Sequence, residues 1–415
     1  MGGIGRRTSR AIAGAAGLAA IVLAATACAS ASQEAAANGT GGSSSGNAPY
    51  KIGMVYEKTG IYAAYAQEYQ QGFQIGLDYA THGTDKVDGH PVQVTWDDDA
   101  DSATTAVTDF KSLSGAGYKV IGGSVDSGIA TQLAPLAAQN QTLFLSGPAA
   151  ADQLTGINKY TFRSGRQTYQ DVQVAKAYVA SKGKGQTIAV LAQDYAFGQS
   201  YVTDAQKVFG AIGDKVIPVL VPLSTTNFTP TALKVKSLHP SMIFLAWAGT
   251  TGAALAQSLD QQGVFNGTPV VTGLANIATY PFYGPAGAKF DYLSLYFYQA
   301  AKNAANQYLI TQMAKRFHSA PDLFAPDGFT AAEMAVHALQ AGKGTDVNAM
   351  ISALSGWSFL APKGMQQIRA SDHAMLQPMY QAKLTEVSAK DFTPSLVSTL
   401  PNADTAPPVT ANVGG

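Results

Sequence analysis

From Tyr50 onward the chain alternates short apolar or β-branched runs with longer stretches whose apolar residues return at helical spacing. A strand over Lys51 to Tyr56 ends at Thr59-Gly60, and a helix covers Ala63 to Tyr79. The turn Val87-Asp88-Gly89-His90-Pro91 opens a strand over Val92 to Trp96, followed by a helix over Ser102 to Leu113. A strand over Lys119 to Ile121, a helix from Gly128 and a strand over Leu143 to Leu145 extend the series. The pattern restarts after Lys184-Gly185. Strands over Thr187 to Ala192, Lys215 to Val221, Met242 to Leu245 and Val270-Val271 enclose helices over Gln199 to Phe209, Thr229 to Ser237 and Gly252 to Gln261. Strands separated by helices of this length predict parallel, doubly wound sheets, and the restart predicts two similar α/β lobes.

The last third adds elements without starting a third lobe. It reads as a strand over Tyr292 to Tyr296 and a helix over Asn303 to Phe317. A second helix carries Phe329, Ala332, Val336 and Leu339 at near-helical spacing. A third helix over Val347 to Leu354 precedes final strands near Met365 to Ile368 and Met379 to Leu384. Additions to both sheets require the chain to cross between lobes more than once. The expected division is residues 50–167 with 300–355 in lobe one, and 168–299 with 356–400 in lobe two. Residues 401–415, rich in Pro, Ala, Thr and Asn, are expected to be a disordered tail.

The N-terminus changes the picture. Arg6, Arg7 and Arg10 precede a short apolar run, Ala11 to Ala27, which has the form of a secretory signal peptide over residues 1–27 and not of a membrane span. Cys28, the single cysteine of the 415-residue chain, stands directly after the small pair Thr26-Ala27. This junction resembles the lipobox of bacterial lipoproteins, which implies cleavage before Cys28 and a diacylglycerol on its thiol. Ala25 stands where leucine is commonest in that motif, and an ordinary signal peptide with an incidental cysteine is the alternative. Ala29 to Pro49 is a run of Ala, Gly, Ser and Asn too apolar-poor to fold, so residues 28–49 read as a lipidated cysteine and flexible tether. A twin-arginine signal is disfavoured because Thr8 and Ser9 follow the arginine pair.

Charge and composition mainly exclude. The chain has 27 basic and 27 acidic residues, and losing the three leader arginines leaves a mildly acidic body, which argues against nucleic acid as a partner. With Cys28 modified no disulfide can form, so a large core must stabilise the body. Asp97, Asp99 and Asp101 imitate the start of a calcium loop, but Ser102 replaces its glycine and Thr108 its glutamate. No HExxH spacing, G-x-S-x-G elbow, P-loop or dinucleotide fingerprint occurs, so neither metal nor cofactor is expected and enzymatic activity is disfavoured.

Several segments in order across the body resemble the leucine/isoleucine/valine-binding branch of type I periplasmic binding proteins. They include Lys51-Ile52-Gly53 leading to Thr59-Gly60, Asp97-Asp98 with Asp101, and Val120-Ile121-Gly122-Gly123 with Asp126-Ser127-Gly128. Ser146-Gly147-Pro148-Ala149, Phe162-Arg163, Asp194-Tyr195-Ala196-Phe197-Gly198 and the late Arg369-Ala370-Ser371-Asp372-His373 with Gln377-Pro378-Met379-Tyr380 continue it. The resemblance implies two Rossmann-like lobes joined by a multi-crossover hinge. It also implies a lipid-anchored receptor on the outer face of a bacterial membrane that delivers a small ligand to an ABC permease and its ATPase subunits. A sensory receptor that reports ligand state to a membrane signalling partner is the alternative from another class.

The resemblance also places the candidate ligand contacts. Asp126 and Ser127 open a helix at a strand end, where Ser127 would cap it and free N–H groups could hold a carboxylate; capping alone would equally explain both residues. Ala149 and Ala150 fall at a second contacting turn, where relatives that bind α-amino acids usually have a hydroxyl at the position aligned with Ala150. The acidic residue that often meets a ligand ammonium aligns near Leu274 to Asn276, where there is no carboxylate, so Asn276 is the candidate there. Tyr65, Tyr195, Phe197 and Trp247 lie at strand ends as pocket lining, with a core role as the alternative. Arg166 could clamp a carboxylate with two parallel hydrogen bonds, or lie solvated on the surface. The expected ligand is a small organic molecule, amino-acid-like or aromatic and acidic; an aromatic or otherwise largely apolar one, with an acidic group that Arg166 could meet, suits Tyr65, Phe197 and Trp247 better than a branched-chain amino acid.

Overall fold

The computed structural model describes residues 47–388 and 391–413. The signal peptide, Cys28 and the tether up to residue 46 lie outside the described residues. No described helix is long and apolar enough to cross a membrane.

The first lobe is built from strands β1 (Tyr50–Tyr56), β2 (Lys86–Val87), β3 (His90–Asp98), β4 (Val120–Gly123), β5 (Leu143–Ser146) and β6 (Thr161–Arg163). They form one sheet in the order β2-β3-β1-β4-β5-β6, parallel except for the β2–β3 hairpin. Helices α1 (Ala63–Ala80), α2 (Ala103–Gly115) and α3 (Ser127–Asn140) connect the strands. β4 and β5 are buried along their whole length because helices cover both faces.

After β6 the chain crosses to the second lobe through α4 (Thr168–Ala180). Strands β7 (Thr187–Gln193), β8 (Lys215–Val221), β9 (Met242–Ala246), β10 (Val270–Gly273) and β11 (Asp291–Ser294) alternate with α5 (Ala196–Gly210), α6 (Thr229–Ser237), α7 (Gly252–Gln261) and the short α8 (Gly284–Gly287). It returns to lobe one with α9 (Ala304–Phe317), α10 (Ala325–Ala341) and α11 (Val347–Leu354). Helix α10 seats on α1 at very close range. A methyl group on Gly72 would lie 1.8 Å from the Ala325 carbonyl oxygen, and one on Gly328 would lie 1.9 Å from that of Tyr69, so neither position admits a side chain.

The end of the chain departs from the sequence-based expectation in three ways. Residues placed with lobe two from 356 onward first form a separate three-stranded sheet of β12 (Ser358–Ala361), β13 (Gly364–Ile368) and β14 (Met375–Leu376). Its flank is pinned to lobe one, where His373 stacks on Phe162 with ring centroids 3.8 Å apart. Next, β15 (Met379–Ser388) adds antiparallel to β11, and an unforeseen strand, β16 (Asp391–Leu400), pairs with it at the edge of the lobe-two sheet. The complete order there is β16-β15-β11-β10-β9-β7-β8. Finally, the tail is seated and not free. After α12 (Asn402–Thr405), Arg369 donates to the carbonyls of Pro407 and Pro408 at 2.6 and 3.3 Å, and Val413 N–H donates to the Ser371 carbonyl at 2.7 Å. Proline-rich segments lack N–H donors, but their carbonyls remain acceptors, and an arginine holds them here.

The strand orders place β1 between β3 and β4 and, equivalently, β7 between β8 and β9. Each is a topological switch point, and in open α/β sheets ligands bind beyond the strand ends at such a point.

Candidate functional site

The strand ends of the two lobes face each other across a cavity of about 80 Å³. Of the positions expected at the site, Tyr65, Ala150, Arg166, Tyr195, Phe197 and Trp247 line it, whereas Asp126, Ser127, Ala149 and Asn276 do not. Tyr65 rises from the first turn of α1, and its ring packs edge-on against Phe324 at 4.9 Å. Tyr195 precedes α5 and faces Tyr62 of the opposite lobe, with ring centroids 6.4 Å apart. The Trp247 indole N–H donates to Thr251 Oγ1 at 3.0 Å, which fixes the ring over the apolar wall of lobe two.

Arg166 and Asp171 are the only charged side chains lining this cavity among the described residues. Arg166 is buried: Nε donates to Asp171 Oδ2 and Nη1 to the Pro148 carbonyl, both at 3.1 Å. Nη2 has no protein partner among the described residues. The Tyr201 hydroxyl donates to the same Asp171 oxygen. Burial alone would lower the Arg166 pKa, but the adjacent Asp171 carboxylate outweighs it and holds the guanidinium above its ordinary value. Burial raises Asp171, with Arg166 opposing. A second buried arginine shapes the floor. Arg163 donates to the carbonyls of Ala151, Ala149 and Arg166 at 2.9, 2.7 and 2.9 Å, fixing the turn that carries Ala150. Ala149 therefore contributes its carbonyl to this support and not a surface to the cavity.

The helix terminus at α3 differs from the expectation. Asp126, not Ser127, caps the helix by accepting from Ile129 N–H at 2.9 Å. Ser127 is the first helical residue, and its hydroxyl accepts from Ala150 and Ala151 N–H at 3.1 and 3.2 Å. The preceding amides are also occupied. Glu57, fully buried at the end of β1, accepts from Val125 N–H at 2.9 Å and Asp126 N–H at 2.8 Å, and from the Ser124 hydroxyl. Two carboxylates of the chain itself thus occupy the Val125, Asp126 and Ile129 amides of this turn, which a ligand carboxylate would otherwise meet.

Asn276 has a different position as well. Its amide donates to Glu68 of lobe one, while the next amide, Ile277 N–H, donates to Asp322 Oδ2 at 2.8 Å. With Gly249 N–H donating to Tyr65 Oη at 3.3 Å, these bonds join the lobes at the cleft mouth. Gly249 is required there: its φ of +77° is in the left-handed region, and an added methyl would lie 3.1 Å from Tyr62 Cε1.

Sequence reading did not single out Tyr62, Tyr201, Asp171 or Phe324, all of which line the cavity. Tyr201 was accessible in principle, since it follows Phe197 by four residues on one face of α5. Asp171 and Phe324 carry no local signal, because only tertiary packing brings them to Arg166 and Tyr65.

A two-lobed α/β body is also what known proteins similar to this chain possess. The periplasmic binding protein family model matches residues 49–391, and the chain belongs to that family, in its type I, leucine/isoleucine/valine-binding-protein-like branch. It is 32% identical to an ABC-type branched-chain amino acid transporter from Rhodopseudomonas palustris CGA009, covering 88% of this chain and all of that one, with a TM-score of 0.71. A solute binding protein of an ABC transporter from Rhodopseudomonas palustris BisB5, solved with 3,4-dihydroxy benzoic acid, shares the fold at 21% identity, 85% and 98% coverage and a TM-score of 0.77. The Leu/Ile/Val-binding protein BraC3 of Rhizobium johnstonii is 26% identical over 218 residues, or 51% of this chain and 58% of its own length.

Proposed function

We propose that this protein is the solute receptor of an ABC importer, held by Cys28 on the outer face of the cell membrane, and that it captures a small aromatic carboxylate between its lobes. It performs no chemistry on its ligand, and transport energy comes from the ATPase subunits of its partner permease. The observation that carries the ligand reading is the composition of the cleft: aromatic rings from both lobes surround one buried arginine whose Nη2 has no protein partner among the described residues. A carboxylate placed there gains a charge-assisted hydrogen bond, and its ring replaces water against Tyr65, Phe197 and Trp247. The structure solved with 3,4-dihydroxy benzoic acid is consistent with a scaffold that accommodates such a ring.

The cleft suits an α-amino acid poorly. Ala150 offers no hydroxyl, the cavity lining at Leu274 and Ala275 offers no carboxylate for an ammonium, and Asp171 is already paired. A ligand ammonium would be desolvated without a partner, at a cost of about 1–3 kcal/mol or more. Titration calorimetry with benzoate, benzamide and the three branched-chain amino acids tests this choice. Benzoate should bind at micromolar concentration and benzamide and the amino acids should not. Micromolar binding of leucine, isoleucine or valine without benzoate binding would overturn the reading. The anchor has its own test, since Cys28→Ser should move the protein from the membrane fraction to the soluble one with an unchanged melting temperature.

A further inference from the structure

Adjoining the cleft is a second pocket of about 260 Å³, about three times the cleft cavity in volume. The two share Tyr65, Trp247, Ala248 and Ala275 as a common wall. Two of those four residues are alanines, so the partition between the pockets is thin. Apart from Tyr65, every residue lining the second pocket belongs to lobe two, in the segments 247–253 and 275–283. The pocket therefore exists on lobe two before the lobes meet, and Tyr65 covers it when they do.

Its lining is mostly apolar, with the hydroxyls of Thr250, Thr279 and Tyr283 among it. No charged side chain lines it among the described residues; Gly252 and Ala253 at the start of α7 line it together with Phe282 and Tyr283. The Tyr65 hydroxyl at the partition accepts from Gly249 N–H, and the Trp247 N–H donates to Thr251 Oγ1. Phe282 remains 47% exposed, an open apolar surface at the pocket edge. A charged group would find no counter-charge among the lining residues.

The geometry points to an elongated ligand: an aromatic carboxylate whose acid end meets Arg166 in the cleft and whose uncharged arm, an alkyl chain or a second ring, passes between Trp247 and Ala275 into this pocket. The inference rests on the carboxylate reading proposed above and adds the arm to it. In the binding sequence that follows, the arm seats on lobe two in the open form, and the lobes then close over the ring. Selectivity for length comes from lobe two alone, and the carboxylate contact from lobe one.

The test compares benzoate with 4-butylbenzoate on the full chain, in the unchanged protein and in Ala253→Leu and Phe282→Ala. Each buried methylene raises affinity about three- to fourfold. Thus 4-butylbenzoate should bind at least about tenfold more tightly than benzoate. Ala253→Leu fills the pocket from a helical position that tolerates leucine, and should cancel that gain while leaving benzoate binding unchanged. Phe282→Ala uncovers the rim without adding bulk, so a fold problem in the first variant does not mask the result; it should weaken 4-butylbenzoate severalfold and benzoate not at all. If benzoate binds and 4-butylbenzoate gains nothing, the arm pocket is wrong and the cleft reading stands. The arm pocket is equally wrong if the gain survives in both variants. If neither compound binds, the arm and the carboxylate reading fall together.

Discussion

The turn after β4 in lobe one and the turn after β9 in lobe two occupy equivalent places beside their switch points, yet they are built on opposite principles. The first is dense with charge and bonded largely from within: Glu57 and Asp126 accept from the Val125, Asp126 and Ile129 amides, and Ser127 ties the turn to the next one. The second is apolar and roomy, with Trp247 pinned by Thr251 and small residues on either side. A closed polar network resists deformation because every broken bond leaves a buried group unpaired. An apolar wall of small residues can change shape at much lower cost. Lobe one thus supplies a rigid reference with one cation, and lobe two the surface on which ligand range can vary.

This contrast is broken most directly by removing the central charge. Arg166→Met leaves Asp171 buried beside Tyr201 without its counter-ion, which should cost about 3–5 kcal/mol of stability. The matched change across the cleft, Trp247→Phe, removes a hydrogen bond to Thr251 and part of a half-buried ring, and should cost less, about 1–2 kcal/mol. Urea unfolding of both variants measures the difference. Equal losses would mean that the two walls are not distinct in kind.

The next effect concerns pH. Burial, partly offset by its three donors, pushes Glu57 up to about 7. Burial and the repulsion of Glu57 push Asp99 up to about 8. Both folded-state values exceed the ordinary carboxyl range, so the folded protein retains protons that the unfolded chain releases. Their contribution to stability is complete below about pH 4 and declines as pH rises through 7 to 8. Glu57→Gln can keep an acceptor for the β4 turn while removing the titration. It should flatten the decline and raise stability near pH 8 by on the order of 1–3 kcal/mol. Thermal unfolding between pH 5 and 9 checks this, and an equally steep profile in the variant would remove Glu57 as its source.

How far these features could be read from the sequence follows from their range along the chain. Most of the alternation of strands and helices was legible through β11 because those elements carry their own apolar period, but the short β2, β6 and α8 and the crossing helix α4 were not foreseen. The edge strand β16 was not: Thr393, Pro394 and Ser395 interrupt the pattern, and pairing with β15 supplies what propensity does not. The aromatic lining was legible at strand ends, and Arg166 was legible as a cation close to the cleft. The closure of the β4 turn was hidden, since Glu57 is 69 residues away from the Asp126 amide it occupies. Asn276 was placed in the right loop, but its direction depends on Glu68 in the other lobe. The tail reads as disorder by composition, and only the arginine at 369 reveals why it is seated.

The smallest predicted effect tests whether the lobes also differ in how they hold one another. Asn276 and Ile277 of lobe two donate to Glu68 and Asp322 of lobe one, so the bonds at the cleft mouth use lobe-one carboxylates. Asn276→Ala deletes one such bond and leaves the cavity lining intact, since Asn276 does not line it. One net hydrogen bond is worth about 0.5–1.5 kcal/mol, so affinity for benzoate should fall about two- to tenfold, chiefly through faster dissociation. The same carboxylates give the closed form a pH dependence. Burial raises Asp322 to about 6; burial and then the repulsion of Asp322 raise Glu68. Closure that buries these groups takes up protons, so the closed form is favoured at acid pH and loses that advantage as pH rises through 6 and above. Benzoate affinity should therefore decline between pH 5 and 8, and Glu68→Gln should shallow the slope. Stopped-flow dissociation rates across that range separate the two contributions. A rate unchanged in Asn276→Ala would mean that the lobes close on the ligand and its aromatic neighbours alone.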